Sequence, residues 1–200
     1  MKILTIFASH RTGGKNAEIE SAMRRYSADF DLDFIHLSDH KIESCTSCHL
    51  CGQAGHCILP PSETDCFQEI FDKMQSADCI FIISPVYANI PSRLTALFER
   101  LTSVLFDTGR INTDKNPLLN KKAAVFSYCS AGICDEAPIK LIFDKFLMKN
   151  YRFDRTTYTY LNTSTNPKDK YSDITDYVTD ILESLKRQYI ENQSDYTARN

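Results

Sequence analysis

The chain contains 200 residues, of which 42% are hydrophobic and 24% are charged, and its formal net charge is −3. These values predict one compact domain with a full core and exclude a disordered or fibrous protein. Because the sequence has neither a basic surplus nor a Lys/Arg stripe, we expect neither nucleic acid nor a membrane as a partner.

The N-terminal segment MKILTIFASH has too short an apolar run for a secretory signal. No stretch reaches the roughly 20 apolar residues that are needed to span a bilayer. We therefore expect a cytoplasmic protein. In a reducing compartment, closely spaced cysteines favour metal binding or redox chemistry over disulfides.

Five segments have the β-branched and apolar composition of strands. They are residues 2–8, 32–37, 77–85, 122–129 and 153–161. The third is almost continuously apolar, as expected of a central strand covered on both faces. Apolar residues at helical spacing follow each strand, and the helix before the third strand has Ser62 and Asp65 in the pattern of a capping box.

Alternating strands and helices predict a parallel sheet with helices on both faces, because each parallel return needs a crossover. The length fits a flavodoxin-like α/β three-layer sandwich with a five-stranded parallel sheet in the order 2-1-3-4-5. We expect one domain over residues 1–192, with a cysteine-rich insertion at 44–61 and a polar tail at 193–200. Ligands of such sheets bind at the carboxyl ends of the strands.

Three loops are expected at that edge. Ser9 to Ala17 offers hydroxyls, two glycines and two cations before a helix N-terminus, which favours a phosphate. It matches neither the nucleoside-triphosphate nor the dinucleotide fingerprint, so an ordinary loop is the alternative. Pro85 and Tyr87 follow the third strand. The small residues Ser130, Ala131 and Gly132 after the fourth strand would let a planar ligand approach the backbone.

Together these loops resemble those of the flavodoxin-like NAD(P)H-dependent FMN reductases. The resemblance rests on the turn with Ser9, Arg11 and its glycines, on SPVY after the third strand, and on LTALFERL in the next helix. It implies that FMN binds here. The implied phosphate contacts are Ser9, Arg11, Thr12, Gly13, Gly14, Lys15 and Asn16, and the implied isoalloxazine contacts are Pro85, Val86, Tyr87, Ala88 and Asn89.

Four cysteines, Cys45, Cys48, Cys51 and Cys57, are spaced as CxxCxxCxxxxxC. Zinc sites usually take two separated ligand pairs, whereas CxxCxxC is the spacing with which ferredoxin loops bind a cluster. Beside an FMN-reductase-like sheet, the run resembles that of the iron-sulfur flavoproteins. The resemblance implies that these four cysteines bind one 4Fe-4S cluster. Because four thiolates already complete such a site, we expect His49 and His56 to be solvated loop residues rather than ligands. From their place after the second strand, we expect the cysteines on the flavin's side of the sheet.

The resemblance implies an oxidoreductase that passes electrons between FMN and the cluster, and onward to a small acceptor or redox partner. It also implies a homodimer or a dimer of dimers, with NAD(P)H or ferredoxin as electron donor. Two alternatives stay open: a cluster-free NAD(P)H-dependent FMN or quinone reductase, and a zinc-stabilised, non-enzymatic binding module. The sequence assigns no acid or base catalyst, and no role to Cys66, Cys79, Cys129 or Cys134.

Overall fold

The computed structural model describes residues 1–11, 13–59, 65–86, 89–129, 135–151, 153, 156–162 and 173–198. Five parallel strands form one sheet in the order β2-β1-β3-β4-β5, which confirms the predicted flavodoxin-like topology. The strands are β1 (Lys2–Phe7), β2 (Asp31–His36), β3 (Cys79–Pro85), β4 (Lys122–Cys129) and β5 (Thr156–Asn162).

Helices cover both faces of the sheet. They are α1 (Lys15–Arg24), α2 (Cys51–Ala54), α3 (Phe67–Ser76), α4 (Ser92–Asp107), α5 (Ala137–Ile142), which continues as π-helical turns over Phe143–Asn150, and α6 (Ile174–Ala198). Within the described ranges, no helix is long and apolar enough to cross a membrane.

The side chains of β1 show how the two cores form. Ile3 and Phe7 point to one face and pack with α1 and α6, whereas Leu4 and Ile6 point to the other and pack with α3, α4 and α5. Such alternation is the two-residue period of a strand covered on both faces. Every residue of β3 is buried, as its apolar run predicts.

The boundaries of several elements differ from the sequence prediction. The fifth strand begins at Thr156 rather than at residue 153. Helix α6 runs to Ala198, past the predicted start of the polar tail, because residues 191–198 include neither glycine nor proline to end it. Helix α3 begins at Phe67, whose backbone N–H donates to Asp65 Oδ1 at 2.9 Å, while Ser62 lies outside the described residues.

One short backbone contact joins the two chain segments that flank the cysteine-rich insertion. Lys41 and Asp65 form an isolated parallel bridge, in which the Cys66 N–H donates to the Lys41 carbonyl at 2.9 Å. We call this bridge the neck of the insertion. It ties the chain that leaves β2 to the start of α3, so the segment between them forms a closed loop.

Candidate functional site

The predicted ligand loops begin at one edge of the sheet. The Ala8 N–H donates to the Ile83 carbonyl at 2.8 Å, and the Val86 N–H donates to the Tyr128 carbonyl at 2.8 Å. The register therefore brings the carboxyl ends of β1, β3 and β4 together, as a parallel sheet requires.

The loop after β1 presents its backbone to solvent. Ser9 is buried, and its Oγ accepts a hydrogen bond from the Arg11 backbone N–H at 3.0 Å. The Arg11 side chain is exposed. Gly13 and Gly14 have φ values of +85° and +61°, and a Cβ on either would meet no atom within 4 Å. These left-handed glycines turn the chain into α1 while leaving open space before the helix N-terminus.

A buried donor lies at the start of α1. Asn16 is 2% exposed, and its Oδ1 accepts a hydrogen bond from the Tyr128 hydroxyl at 2.9 Å. Its Nδ2 has no partner among the described residues. An unpaired buried donor costs about 1–3 kcal/mol, so a bound acceptor such as a phosphate oxygen would suit this position. The loop residues therefore fit the phosphate of FMN.

The other predicted flavin contacts fall into two groups: those whose surroundings the structure gives, and those outside the described residues. Lys15 forms an ion pair with Glu18 at 2.6 Å. Pro85 and Val86 are buried at the end of β3, and Asn89 is exposed, with its Oδ1 accepting from the next backbone N–H. Thr12, Tyr87, Ala88, Ser130, Ala131 and Gly132 lie outside the described residues. The isoalloxazine contacts therefore stay predictions.

The four predicted cysteine ligands come together. Their side chains line one pocket, whose far wall is the face of α4 that carries Arg100, Ser103 and Asp107. Cys51 is buried, Cys45 and Cys57 are half-buried, and Cys48 is exposed. No three of these sulfurs, all of which belong to described residues, lie within 4.8 Å of one another, so as placed they are too widely spaced for one tetrahedral metal ion, whereas a larger cluster suits such spacing.

Polar side chains of α4 contact three of the sulfurs. Cys45 Sγ lies 3.2 Å from Ser103 Oγ. The Cys51 thiol donates to Asp107 Oδ2 at 3.6 Å, and Arg100 Nη2 donates to Cys57 Sγ at 3.2 Å. Hydrogen bonds to cysteine sulfur orient a ligand and tune the potential of a bound centre.

The backbone of the cysteine segment is tightly curved. Ser47 and His49, between the first three cysteines, have φ values of 53° and 58°. This left-handed conformation is uncommon for residues other than glycine, and it turns successive cysteines toward one pocket. Gly52 in α2 packs against the end of α4, where a Cβ would lie 2.8 Å from the Asp107 carbonyl oxygen.

The thiols of Cys48 and Cys51 have pKa values that are shifted in opposite directions by their surroundings. Burial, with help from Asp107, raises the pKa of Cys51 to about 11. A hydrogen bond from the Leu50 backbone, with a second from Thr46, lowers the pKa of Cys48 below its usual value. In the metal-free chain, Cys48 is therefore the better nucleophile of the two and Cys51 is held protonated.

Sequence reasoning missed the ion pair behind the cysteines. Arg100 Nη1 contacts Asp65 Oδ2 at 2.5 Å, and the two side chains are only 3% and 4% exposed. The guanidinium also stacks over the Phe67 ring at 4.2 Å. Arg100, Ser103 and Asp107 share one face of α4, so their i, i+3, i+7 spacing was the available signal.

The placement of the cysteines corrects one expectation. The N-terminus of α4 meets the loop after β1 that carries Gly13 and Gly14, which we call the glycine loop, and Ser92 Oγ lies 3.5 Å from His10 Nε2 there. The cysteine contacts lie farther along the same helix, roughly 12–22 Å from that end at about 1.5 Å per residue. The sulfurs therefore lie along the side of α4, away from the carboxyl edge, because the insertion folds back from β2 along α4.

Two histidines lie in the cysteine segment, and other cysteines lie in or after the strands of the sheet. His49 and His56 are both exposed, and His49 Nδ1 lies 3.3 Å from Asp107 Oδ1. Cys79 is buried in β3, where burial raises its pKa to about 12. Cys129 is buried at the end of β4, and Cys134 lies outside the described residues.

Comparison with known proteins identifies the family of this chain. The model of a family described as NADPH-dependent FMN reductase matches residues 1–140. An iron-sulfur flavoprotein of Methanosarcina thermophila is 33% identical over 103 residues, which are 50% of this chain and 52% of the relative. One from Methanocaldococcus jannaschii is 30% identical over 103 residues, which are 50% of this chain and 51% of the relative. The chain therefore spans about half the length of the relatives it matches.

Solved structures show the same fold at low identity. RosB with a bound riboflavin-5'-phosphate derivative is 14% identical, with a TM-score of 0.60 and coverage of 100% of this chain and 86% of RosB. The NADH:FMN oxidoreductase EMOB is 17% identical, with a TM-score of 0.57 and coverage of 94% and 89%. Because the family model matches well over half of the sequence, the chain belongs to the NADPH-dependent FMN reductase family.

Proposed function

We propose that this flavin-dependent oxidoreductase carries FMN at the carboxyl edge of its sheet and a 4Fe-4S cluster on Cys45, Cys48, Cys51 and Cys57, between which it transfers electrons. The observation that carries the proposal is the convergence of the four cysteine side chains on one pocket. The names of the two iron-sulfur flavoproteins, which match about half of this chain, support it.

The residues around each proposed cofactor have distinct tasks. The glycine loop, the α1 N-terminus and Asn16 would bind the FMN phosphate, and Ser103 and Arg100 would orient the cysteine ligands. FMN takes up electrons in pairs and can release them singly, which suits a one-electron centre and requires no acid or base from the protein.

The separation of the two proposed cofactor sites along α4 supports an oligomeric arrangement. The cysteine contacts lie roughly 12–22 Å along α4 from the end that meets the glycine loop, so a cluster in the pocket would lie away from the proposed phosphate site of its own chain. A homodimer or a dimer of dimers, in which the cluster approaches the flavin of a second copy, would shorten that path. The electron donor would be NAD(P)H or ferredoxin, and the acceptor a small molecule or a redox partner.

Flavin, iron, sulfide and zinc analysis of one anaerobic preparation tests the proposal. Iron and sulfide together with FMN are expected. FMN without iron would instead support the cluster-free reductase, and zinc without flavin would support a binding module. Arg11→Glu should abolish flavin retention, because it places a negative charge beside the proposed phosphate site, whereas Arg25→Glu at the other end of α1 should retain it.

A further inference from the structure

A second group of metal-ligating side chains lies at the neck of the insertion, outside the four-cysteine pocket. One nitrogen of His40, the sulfur of Cys66 and one carboxylate oxygen of Glu69 all lie within 4.8 Å of one another. His40 and Cys66 are half-buried and Glu69 is exposed, so the group is shielded on one side and open to water on the other.

The imidazole of His40 is already oriented. Its Nδ1 lies 2.7 Å from the carbonyl oxygen of His36, so Nδ1 carries the proton and donates it to that carbonyl. Nε2 is then the nitrogen with the available lone pair. Metal-binding histidines characteristically donate their second ring nitrogen to a carbonyl or carboxylate, which fixes the tautomer and the ring orientation.

The backbone holds the other two ligands in place beside it. Cys66 immediately precedes α3, and Glu69 lies in the first turn, so their side chains share one helix face. The Cys66 N–H donates to the carbonyl of Lys41, the neighbour of His40. The two chain segments that supply the ligands are therefore hydrogen-bonded to each other before any metal binds.

We propose that His40, Cys66 and Glu69 bind a divalent ion of borderline softness, such as Zn²⁺, with water as the fourth ligand. A thiolate and a carboxylate balance the charge of the ion, and the nitrogen, sulfur and oxygen donors match zinc's preferences. Ligand atoms around one tetrahedral zinc lie roughly 3.3–3.8 Å apart. Side-chain rotations that move the three ligand atoms by about 1 Å would bring them to this spacing. The bound ion fastens the neck of the insertion, independently of what the four cysteines bind.

Zinc retention by the full chain tests this site. The wild type is incubated with Zn²⁺ and desalted, and the zinc per chain is measured. His40→Ala and Cys66→Ser should each retain about one equivalent less than the wild type, and Gln68→Ala, an exposed neighbour of Glu69 in α3 that is not a ligand, should retain the wild-type amount. Equal zinc in the wild type, His40→Ala and Cys66→Ser would overturn the proposal.

Two variants at exposed positions keep the test valid if His40→Ala or Cys66→Ser fails to fold. Glu69→Gln removes a ligand from an exposed position and should weaken zinc binding at least tenfold in a competition titration with a chelator. Glu43→Gln removes the same charge from another exposed position beside the neck and should leave the affinity within about twofold. Equal weakening by both would show a general charge effect and overturn the site. Iron and flavin content should be the same in all these variants, so the result is independent of the proposed function.

Discussion

Arg100 donates a hydrogen bond from Nη2 to the sulfur of Cys57 across 3.2 Å, and its Nη1 holds the buried carboxylate of Asp65. Arg100→Met should lower the free energy of unfolding by about 3–5 kcal/mol, because it leaves that carboxylate buried without its counter-charge. Urea denaturation measures the change. Adding Asp65→Asn should recover part of the loss, since the amide oxygen can still accept the backbone N–H of Phe67.

The same hydrogen bond should tune the proposed cluster. Arg100→Lys keeps a positive charge beside Asp65 but removes the donor to Cys57, so the reduction potential of the loaded protein should become more negative. A redox titration followed by electron paramagnetic resonance measures it. Arg93→Lys on the same helix is the control, because Arg93 donates to the carbonyls of Leu37 and Ser38 and contacts no sulfur. An unchanged potential in Arg100→Lys would contradict the assignment.

Asn16 offers a test of the phosphate site. Asn16→Asp replaces the unpartnered Nδ2 donor with an acceptor that repels phosphate, while Oδ1 can still accept from the Tyr128 hydroxyl. FMN affinity should fall at least tenfold, or about 1.4 kcal/mol, as measured by fluorescence titration of the apoprotein. Riboflavin, which lacks the phosphate, should lose much less affinity. Equal losses for the two flavins would place Asn16 away from the phosphate.

Gly52 should resist a substitution that normally favours helices. Alanine stabilises a helix interior by about 0.5–1 kcal/mol relative to glycine. In Gly52→Ala, the new Cβ would meet the Asp107 carbonyl oxygen at 2.8 Å, so the two helices must separate and we expect a net loss of about 1–3 kcal/mol. Gln53→Ala, an exposed neighbour, should change stability by less than about 0.5 kcal/mol. Stabilisation by Gly52→Ala would show that α2 does not pack closely on α4.

The two thiols of contrasting acidity should differ in alkylation. In metal-free protein at pH 8, iodoacetamide should modify exposed Cys48 at least tenfold faster than Cys51, because the thiolate is the nucleophile and the pKa of Cys51 is about 11. Raising the pH toward 10 should increase the Cys51 rate, since the thiolate fraction grows as pH approaches the pKa. Mass spectrometry of the peptides measures both rates. Cys79, buried in β3, should stay unlabelled and so reports that the fold is intact.

Much of the fold was readable from the sequence because strand and helix patterns are local. The apolar run of β3 requires cover on both faces, and β4 occupies the predicted residues 122–129. Parallel strands joined by crossovers leave few topologies, so the strand order followed. The loop from Ser9 to the glycines was likewise visible, since strand, turn and helix are adjacent in the chain.

The cysteine site shows the limit of that reasoning. Spacing identified its four cysteines, but only the tertiary structure placed them along α4, with Arg100 on Cys57 and Asp107 on Cys51. These partners are 43 and 56 residues apart in sequence. The cysteine-rich insertion has no repeating pattern of apolar residues. Its path therefore depends on long-range contacts such as the neck and the packing of Gly52 on α4. The sequence by itself determined the strand order and predicted which residues would bind the cofactors, because those patterns are local. The packing of the insertion decided where the four cysteines lie and which side chains contact them.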